Sequence, residues 1–254
     1  MPYPGIPDAI IHLGVVAAAF SLAGLVKGVT GLGLPTVGMG ILTLAMPAVQ
    51  AAALLVVPAF ITNAWQMISR PGLGRLMRRL WLMQSGICLG TWAGTGLMTG
   101  SKTESASLAL GGALLAYAAL GLTNVRLPDV PAWAEWWLGT LVGAATGLIT
   151  AATGVFVIPA VPYLQALGFE GEALVKALGL SFTVSTVALA WSLACSGSLS
   201  LGTGLYSLVA LLPALAGMIT GQRLLRIMRP ETFRRWFFLG MLLLGGDLIL
   251  RGLL

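Results

Sequence analysis

A chain of 254 residues with 57% hydrophobic and only 9% charged side chains cannot dress a soluble globule, since soluble domains carry about 25% charged residues. Its net charge of +6 rests on 14 lysines and arginines, too few for the basic face of a nucleic-acid-binding fold. The mean hydropathy of +0.94 makes lipid the expected solvent and the basic residues topology signals.

Glycine, proline and charge divide the chain into apolar segments at about 9–26, 34–46, 48–69, 80–100, 104–124, 133–149, 154–167, 172–195, 203–224 and 232–252. No Lys or Arg precedes the first segment, so it reads as a retained helix, not a cleaved signal peptide. It runs into Lys27-Gly28-Val29-Thr30-Gly31-Leu32-Gly33-Leu34-Pro35, where glycine weakens a helix and Pro35 suits the first turn of a new one. The span at 48–69 carries a polar stripe of Thr62, Asn63 and Gln66, and a loop with Arg70, Arg75, Arg78 and Arg79 follows. Gly86, Gly90 and Gly94 then recur at every fourth residue, a pattern of close helix packing. The segment at 133–149 runs into a second Gly/Thr element, Thr146 to Gly154, with Gly147, Thr150 and Thr153 inside it. The span at 172–195 places Ser181, Ser185, Ala188 and Ser192 at helical spacing, and Arg223, Arg226, Arg229, Arg234 and Arg235 crowd the loop before the last segment. A bilayer span needs about 20 residues. Six segments reach that length with ease, and the other four form two pairs, each broken into half-helices by its Gly/Thr element.

The two halves, 1–126 and 127–254, repeat. Gly24 and Gly28 match Gly143 and Gly147 at a shift of 119, Ala51 matches Ala173 and Asn63 matches Ser185 at 122, and Gly90 and Gly94 match Pro213 and Gly217 at 123. If each broken pair returns to its own side, each half makes three net crossings, and the halves have opposite topology. Both arginine-rich loops and Arg126 then share one side, which the positive-inside rule makes cytoplasmic, with both termini outside. Lys102 and Glu104 are the only charges in one of the opposite loops. Trp65, Trp81, Trp133, Trp136, Trp137 and Trp236 fall near the cytoplasmic ends, as an aromatic belt does. The expected fold is an all-α integral membrane domain of two inverted repeats, each a broken or re-entrant helix pair followed by three transmembrane helices.

Paired broken helices in inverted repeats mark transporters, whose site lies near the midplane where unwound backbone meets half-helix termini. A helix N-terminus carries free N–H groups and about half a positive charge, so it attracts anions. The second half-helices, starting near Pro35 and Gly154, would aim such ends inward, with hydroxyls from Thr30, Thr150 and Thr153 beside them. Gly28, Gly31 and Gly33 would let a ligand approach the backbone. Lys27 is the basic residue expected deep in the membrane, where charge is rare and functional; snorkelling or capping of orphan carbonyls is its structural alternative. Asn63, Gln66, Ser181 and Ser185 either line the cavity or bond between helices. Asp8, Glu104, Asp129, Glu135 and Glu231 fall in termini or loops, Glu170 and Glu172 at a junction, and Asp247 near an outer end, so no carboxylate relay is expected at the midplane. Cys88 and Cys195 read as small buried thiols, and with a single histidine they offer no metal site. No cofactor or nucleic-acid partner is expected, and no catalytic pair argues for an enzyme.

The run Gly24-Leu25-Val26-Lys27-Gly28-Val29-Thr30-Gly31-Leu32-Gly33-Leu34-Pro35, with a second copy from Gly143 to Pro159, resembles the paired signatures of the sulfite exporter TauE/SafE family. The second copy departs from that pattern at Thr150-Ala151-Ala152-Thr153, where family members often carry more glycine. The resemblance implies transport, often efflux, of small anions of the sulfite, sulfonate or sulfoacetate class across a bacterial plasma (inner) membrane. A passive small-anion channel is the alternative, and it would show no substrate-driven counterflow.

Overall fold

A computed structural model describes residues 6–69, 72–99, 103–123, 128–224 and 230–253. The described residues form helices and no strand: α1 (Ile6–Thr30), α2 (Leu34–Leu42), α3 (Ala48–Ile68), α4 (Leu73–Ala93), α5 (Thr103–Thr123), α6 (Glu135–Thr153), α7 (Ala160–Ala166), α8 (Gly171–Cys195), α9 (Leu201–Leu224) and α10 (Pro230–Leu253). Lipid offers backbone groups no partners, and a helix satisfies them within its own segment. Each apolar segment read from the sequence has its helix. Four of the six expected spans are both long and apolar enough to cross a membrane: Ala48–Ile68, Ala106–Thr123, Gly171–Cys195 and Gly202–Leu224. The other two, α4 and α10, have 21 and 24 residues but take up arginines expected in loops. Arg75, Arg78 and Arg79 lie in the first turns of α4, and Arg234 and Arg235 in those of α10, while Arg223 is in the last turn of α9. Arg70, Lys102, Arg126, Arg226 and Arg229 lie outside the described residues, as do the side chains of Asp8, Glu104 and Glu231.

The broken pairs differ from the expected two half-helices. α1 has 25 residues and α6 has 19, about 37 and 28 Å at 1.5 Å per residue, so each crosses most of a hydrocarbon core. Their partners are short, nine residues in α2 and seven in α7. Gly28 and Gly147 do not end their helices because neighbouring backbone packs on them: a Cβ at Gly28 would stand 2.2 Å from the Met218 carbonyl oxygen, and one at Gly147 2.2 Å from that of Ile87. The chain leaves the helix where φ turns positive, at Gly31 (73°) and Gly33 (109°) in the first pair and at Gly154 (71°) in the second. The second return helix starts at Ala160, not near Gly154. Val155, Val157 and Ile158 are β-branched and Ile158 precedes Pro159, both of which favour extended backbone.

Glycine decides which helices touch. α1 runs parallel to α9, where Cβ atoms at Gly24, Gly217 and Gly221 would stand 2.1, 2.0 and 2.1 Å from the carbonyl oxygens of Ala214, Ser21 and Leu25. α6 runs parallel to α4 in the same way, with Gly86 against Thr140, Gly90 against Ala144 and Gly143 against Met83. Small residues allow this approach, and van der Waals contact holds helices together in lipid. Gly217 and Gly221 meet α1 as Gly86 and Gly90 meet α6, a spacing of 131 where the sequence comparison expected 123. α8 and α9, with 25 and 24 residues, are longer than α3 and α4, with 21 each, so the offset grows along the second half.

α3 crosses α8 antiparallel: Gly179 packs on Asn63 to Met67, while Thr186 and Leu189 lie beside Ala52 to Ala59. α5 pairs antiparallel with α10, Gly111 against Gly245 and Gly121 against Phe238. Pro58 inside α3 leaves the Leu54 carbonyl without its helical donor. Ser207 of α9 donates its Oγ to that carbonyl at 2.7 Å and accepts the Val57 N–H at 3.1 Å. The six belt tryptophans are exposed, Trp236 at 71%, as lipid-facing side chains should be. Cys88 and Cys195 are also exposed, not buried as expected, because an apolar thiol suits a lipid-facing helix surface as well as a core.

Candidate functional site

Lys27 sits in the last turn of α1 and is 1% exposed. Its Nζ donates to Asn63 Oδ1 of α3, and among the described residues no carboxylate lies within salt-bridge reach of it. Burial excludes snorkelling. The ammonium turns to Asn63 of α3 rather than to a carbonyl of its own helix end. One turn along α3, Gln66 donates its Nε2 to the Gly31 carbonyl at 3.0 Å. Asn63 Nδ2, Gln66 Oε1 and, on α8, Ser185 Oγ are buried with no protein partner. A buried polar atom left so costs about 1–3 kcal/mol, so these atoms are poised for something the protein itself does not supply.

The structure thus joins Lys27, Gly31, Asn63 and Gln66 at the seam of α1 and α3. Asn63 lies five residues before the end of α3, about 8 Å at 1.5 Å per residue. Asn63 is equally far from the midpoint of α3 at Pro58, so the cluster lies in the half of the span that leads to the arginine-bearing start of α4. Ser181 is drawn elsewhere and accepts from Gln84 Nε2 at 3.0 Å.

The remaining sequence-predicted residues have local work. Thr30 Oγ1 bonds the Val26 carbonyl at 2.9 Å and accepts the Leu32 N–H at 3.1 Å. Thr153 Oγ1 repeats this at the second break, with the Ile149 carbonyl at 2.7 Å and the Val155 N–H at 3.1 Å. Thr150 Oγ1 bonds the Thr146 carbonyl at 2.7 Å. These hydroxyls bond the backbone of their own helix ends. Gly28 faces α9 and Gly33 faces the Val26 side chain. Gly154 faces Met39 of α2, with sulfur 3.0 Å from where its Cβ would be. The two broken elements do meet, around Pro35, Gly154, Phe156 and Thr186, but the space between them is about 10 Å³, at most one water's room of roughly 10–15 Å³. α7 starts at Ala160, outside this lining.

Sequence reasoning missed Lys176. It lies in the second turn of α8, 6% exposed, in the lining of a cavity of about 540 Å³ with Arg75 and Arg79. The signal was present: a lysine five residues into an apolar run that begins at 172. It was hidden by the neighbouring glutamates, which made the stretch look like a junction. Arg79 itself is held by Glu135 through bonds of 2.6 and 3.1 Å and lies 5.0 Å over the Phe169 ring.

Chemically, the Lys27 cluster offers an ammonium, an amide donor and an amide acceptor in a buried site. That set suits a small anion that also carries a donor group. The family model for the sulfite exporter TauE/SafE matches residues 16–248. No curated protein and no solved structure matches the chain. The match runs through both breaks, the Lys27 turn and every helix from α1 to α10, and the chain belongs to the sulfite exporter TauE/SafE family of multi-pass membrane transporters.

Proposed function

We propose that this family member is a secondary transporter that exports small organic or sulfur-containing anions, of the sulfite, sulfonate or sulfoacetate class, across a bacterial inner membrane. Lys27 binds the substrate's negative charge, Asn63 holds the ammonium and offers its own N–H, and Gln66 with Gly31 closes the site on one side. The observation that carries this reading is the buried Lys27 ammonium, matched by an amide and, among the described residues, by no carboxylate. An uncompensated buried cation is costly, and a bound anion relieves that cost.

The contact pattern supports two inverted repeats, 1–126 and 127–254. Exchanging α1–α5 with α6–α10 turns the α1–α9 pair into α6–α4 and maps the α3–α8 and α5–α10 pairs onto themselves, as a two-fold relation requires. Thr30 and Thr153 doing the same work at the two breaks supports it too. The closed space between the breaks favours a carrier over a passive channel, which needs a continuous path. Proteoliposomes loaded with unlabelled sulfite, ethanesulfonate or sulfoacetate, and given the labelled anion outside, test this. Counterflow of at least one anion, abolished by Lys27→Met, is the expected result. Flux that follows the electrical potential without counterflow would make the protein a channel, and no flux of any of the three would remove the anion assignment.

A further inference from the structure

The two amides of the Lys27 cluster are each oriented by a partner that bonds in one way only. An ammonium only donates, and a carbonyl only accepts. Asn63 therefore turns Oδ1 to Lys27 Nζ, which leaves Nδ2 as its remaining end. Gln66 donates Nε2 to the Gly31 carbonyl at 3.0 Å, which leaves Oε1. Neither amide can turn over without setting donor against donor or acceptor against acceptor. Both remaining ends are buried and have no protein partner. α8 covers this stretch of α3: a Cβ at Gly179 would stand 3.0 Å from Gln66 Cβ and 3.1 Å from the Asn63 carbonyl oxygen.

A bare anion accounts for Lys27 and for the Asn63 N–H. It does not account for Gln66, because an amide oxygen repels an oxyanion and takes a donor. Left without one, a buried acceptor is costly. Asn63 and Gln66 are three residues apart on α3 and so are neighbours on one face, with Cβ atoms about 5–6 Å apart. A ligand whose charged head lies on Lys27 and Asn63 brings a different part of itself to Gln66. An ammonium group there would set a second positive charge beside Lys27, and like charges repel. A hydroxyl supplies the hydrogen without the charge.

We propose that Gln66 determines specificity: its Oε1 accepts a hydrogen bond from a substrate hydroxyl. The site then selects small organic monoanions that carry a hydroxyl on a short body next to a sulfonate or carboxylate head. This rests on the anion reading of Lys27 given above and narrows it. An unsubstituted anion still meets Lys27 but strands the Gln66 acceptor, and an unpaired buried group is how a polar site rejects an analogue that lacks the hydroxyl.

The test is calorimetric binding to purified full-length protein of four sulfonates: hydroxyethanesulfonate, ethanesulfonate, methoxyethanesulfonate and aminoethanesulfonate. The hydroxy compound should bind about tenfold tighter than ethanesulfonate, the order expected for one buried acceptor satisfied or stranded. The methoxy compound has the added oxygen but no hydrogen to give, and it should bind no better than ethanesulfonate. The amino compound, a zwitterion, should bind more weakly than the hydroxy one. Gln66→Met removes the acceptor at similar length and should bring the hydroxy and unsubstituted affinities together. The wild-type series decides the hydroxyl requirement even if Gln66→Met does not fold. Equal affinity for hydroxyethanesulfonate and ethanesulfonate, a methoxy or amino compound that matches the hydroxy one, or a hydroxyl preference that survives Gln66→Met would overturn the proposal. If Lys27→Met weakens the whole series in that case, the anion site stands without the hydroxyl requirement. Binding of none of the four, or affinities unmoved by Lys27→Met, would remove the anion site and this proposal with it.

Discussion

At the scale of single residues, Lys27 and Asn63 separate charge from shape. If the ammonium meets the substrate, Lys27→Met removes a charged hydrogen bond worth about 1.5–3 kcal/mol. Anion affinity measured by calorimetry on purified protein should then fall about 10- to 150-fold at 1.4 kcal/mol per decade. Lys27→Arg should recover only part of it, because a planar fork does not replace a point ammonium. Asn63→Asp is the sharper variant. It hands Lys27 a permanent carboxylate in place of the amide now bonded to it, so the folded protein should remain at least as stable while anion binding is lost. Wild-type affinity in Asn63→Asp would show Lys27 to be structural. The threonines lead to a different expectation. Since Thr30 and Thr153 each tie a turn to its own backbone, Thr153→Ala should lower thermal stability by about 1 kcal/mol, the net worth of such a bond. The Kd of the transported anion should stay within about twofold, well under 1 kcal/mol.

At the scale of helices, stability rests on glycine contacts and on one side-chain repair. Gly90 and Gly147 meet the backbone of the partner helix, at 2.0 and 2.2 Å from a would-be Cβ to the carbonyl oxygens of Ala144 and Ile87. A valine there cannot be absorbed by a rotamer change and must push α4 and α6 apart. Gly90→Val or Gly147→Val should prevent recovery of monodisperse protein on size exclusion. The same change at Gly112, which has open space, should be tolerated. The repair is Ser207, which bonds the carbonyl that Pro58 orphans. Ser207→Ala should cost about 0.6–1.7 kcal/mol, the range for hydrogen bonds between membrane helices. In a Pro58→Ala background the restored N–H takes over that carbonyl, and the cost of Ser207→Ala should shrink. A double-mutant cycle on thermal unfolding reads this directly, and simple additivity would show that the serine does not serve the proline.

At the scale of the whole molecule, direction and charge agree. α1 and α9 run parallel, so the Lys27 end of α1 lies on the side of Arg223, and Gln66 brings the end of α3 to the same side before α4 begins with Arg75. With arginine on the cytoplasmic face, Arg75→Cys should react with membrane-impermeant maleimide only after the cells are opened. Ser198→Cys, in the connection after α8, should react in intact cells. Reaction of Arg75→Cys in intact cells would reverse the orientation and turn the cavity beside Lys176 outward.

What the sequence determined by itself are the features carried by local chemistry. Lipid leaves a helix no alternative, so each apolar run is a helix. A glycine-rich turn with a following proline marks a break wherever it occurs, and Gly31, Gly33 and Gly154 end α1 and α6 inside the two elements read as breaks. A lysine in such a run stands out as well, which made Lys27 visible. Tertiary structure alone decided which face of each helix is buried. In a membrane both faces of a helix are apolar, so hydrophobic periodicity says little about facing. Hence Cys88 and Cys195 are exposed, Gly28 packs on α9, and Lys27 finds Asn63 across 36 residues of sequence. The register of the repeat past α8, and the cavity that gathers Arg75, Arg79 and Lys176, depend on helix lengths and on the depth at which helices cross. Those are properties of pairs of helices, and no single segment encodes them.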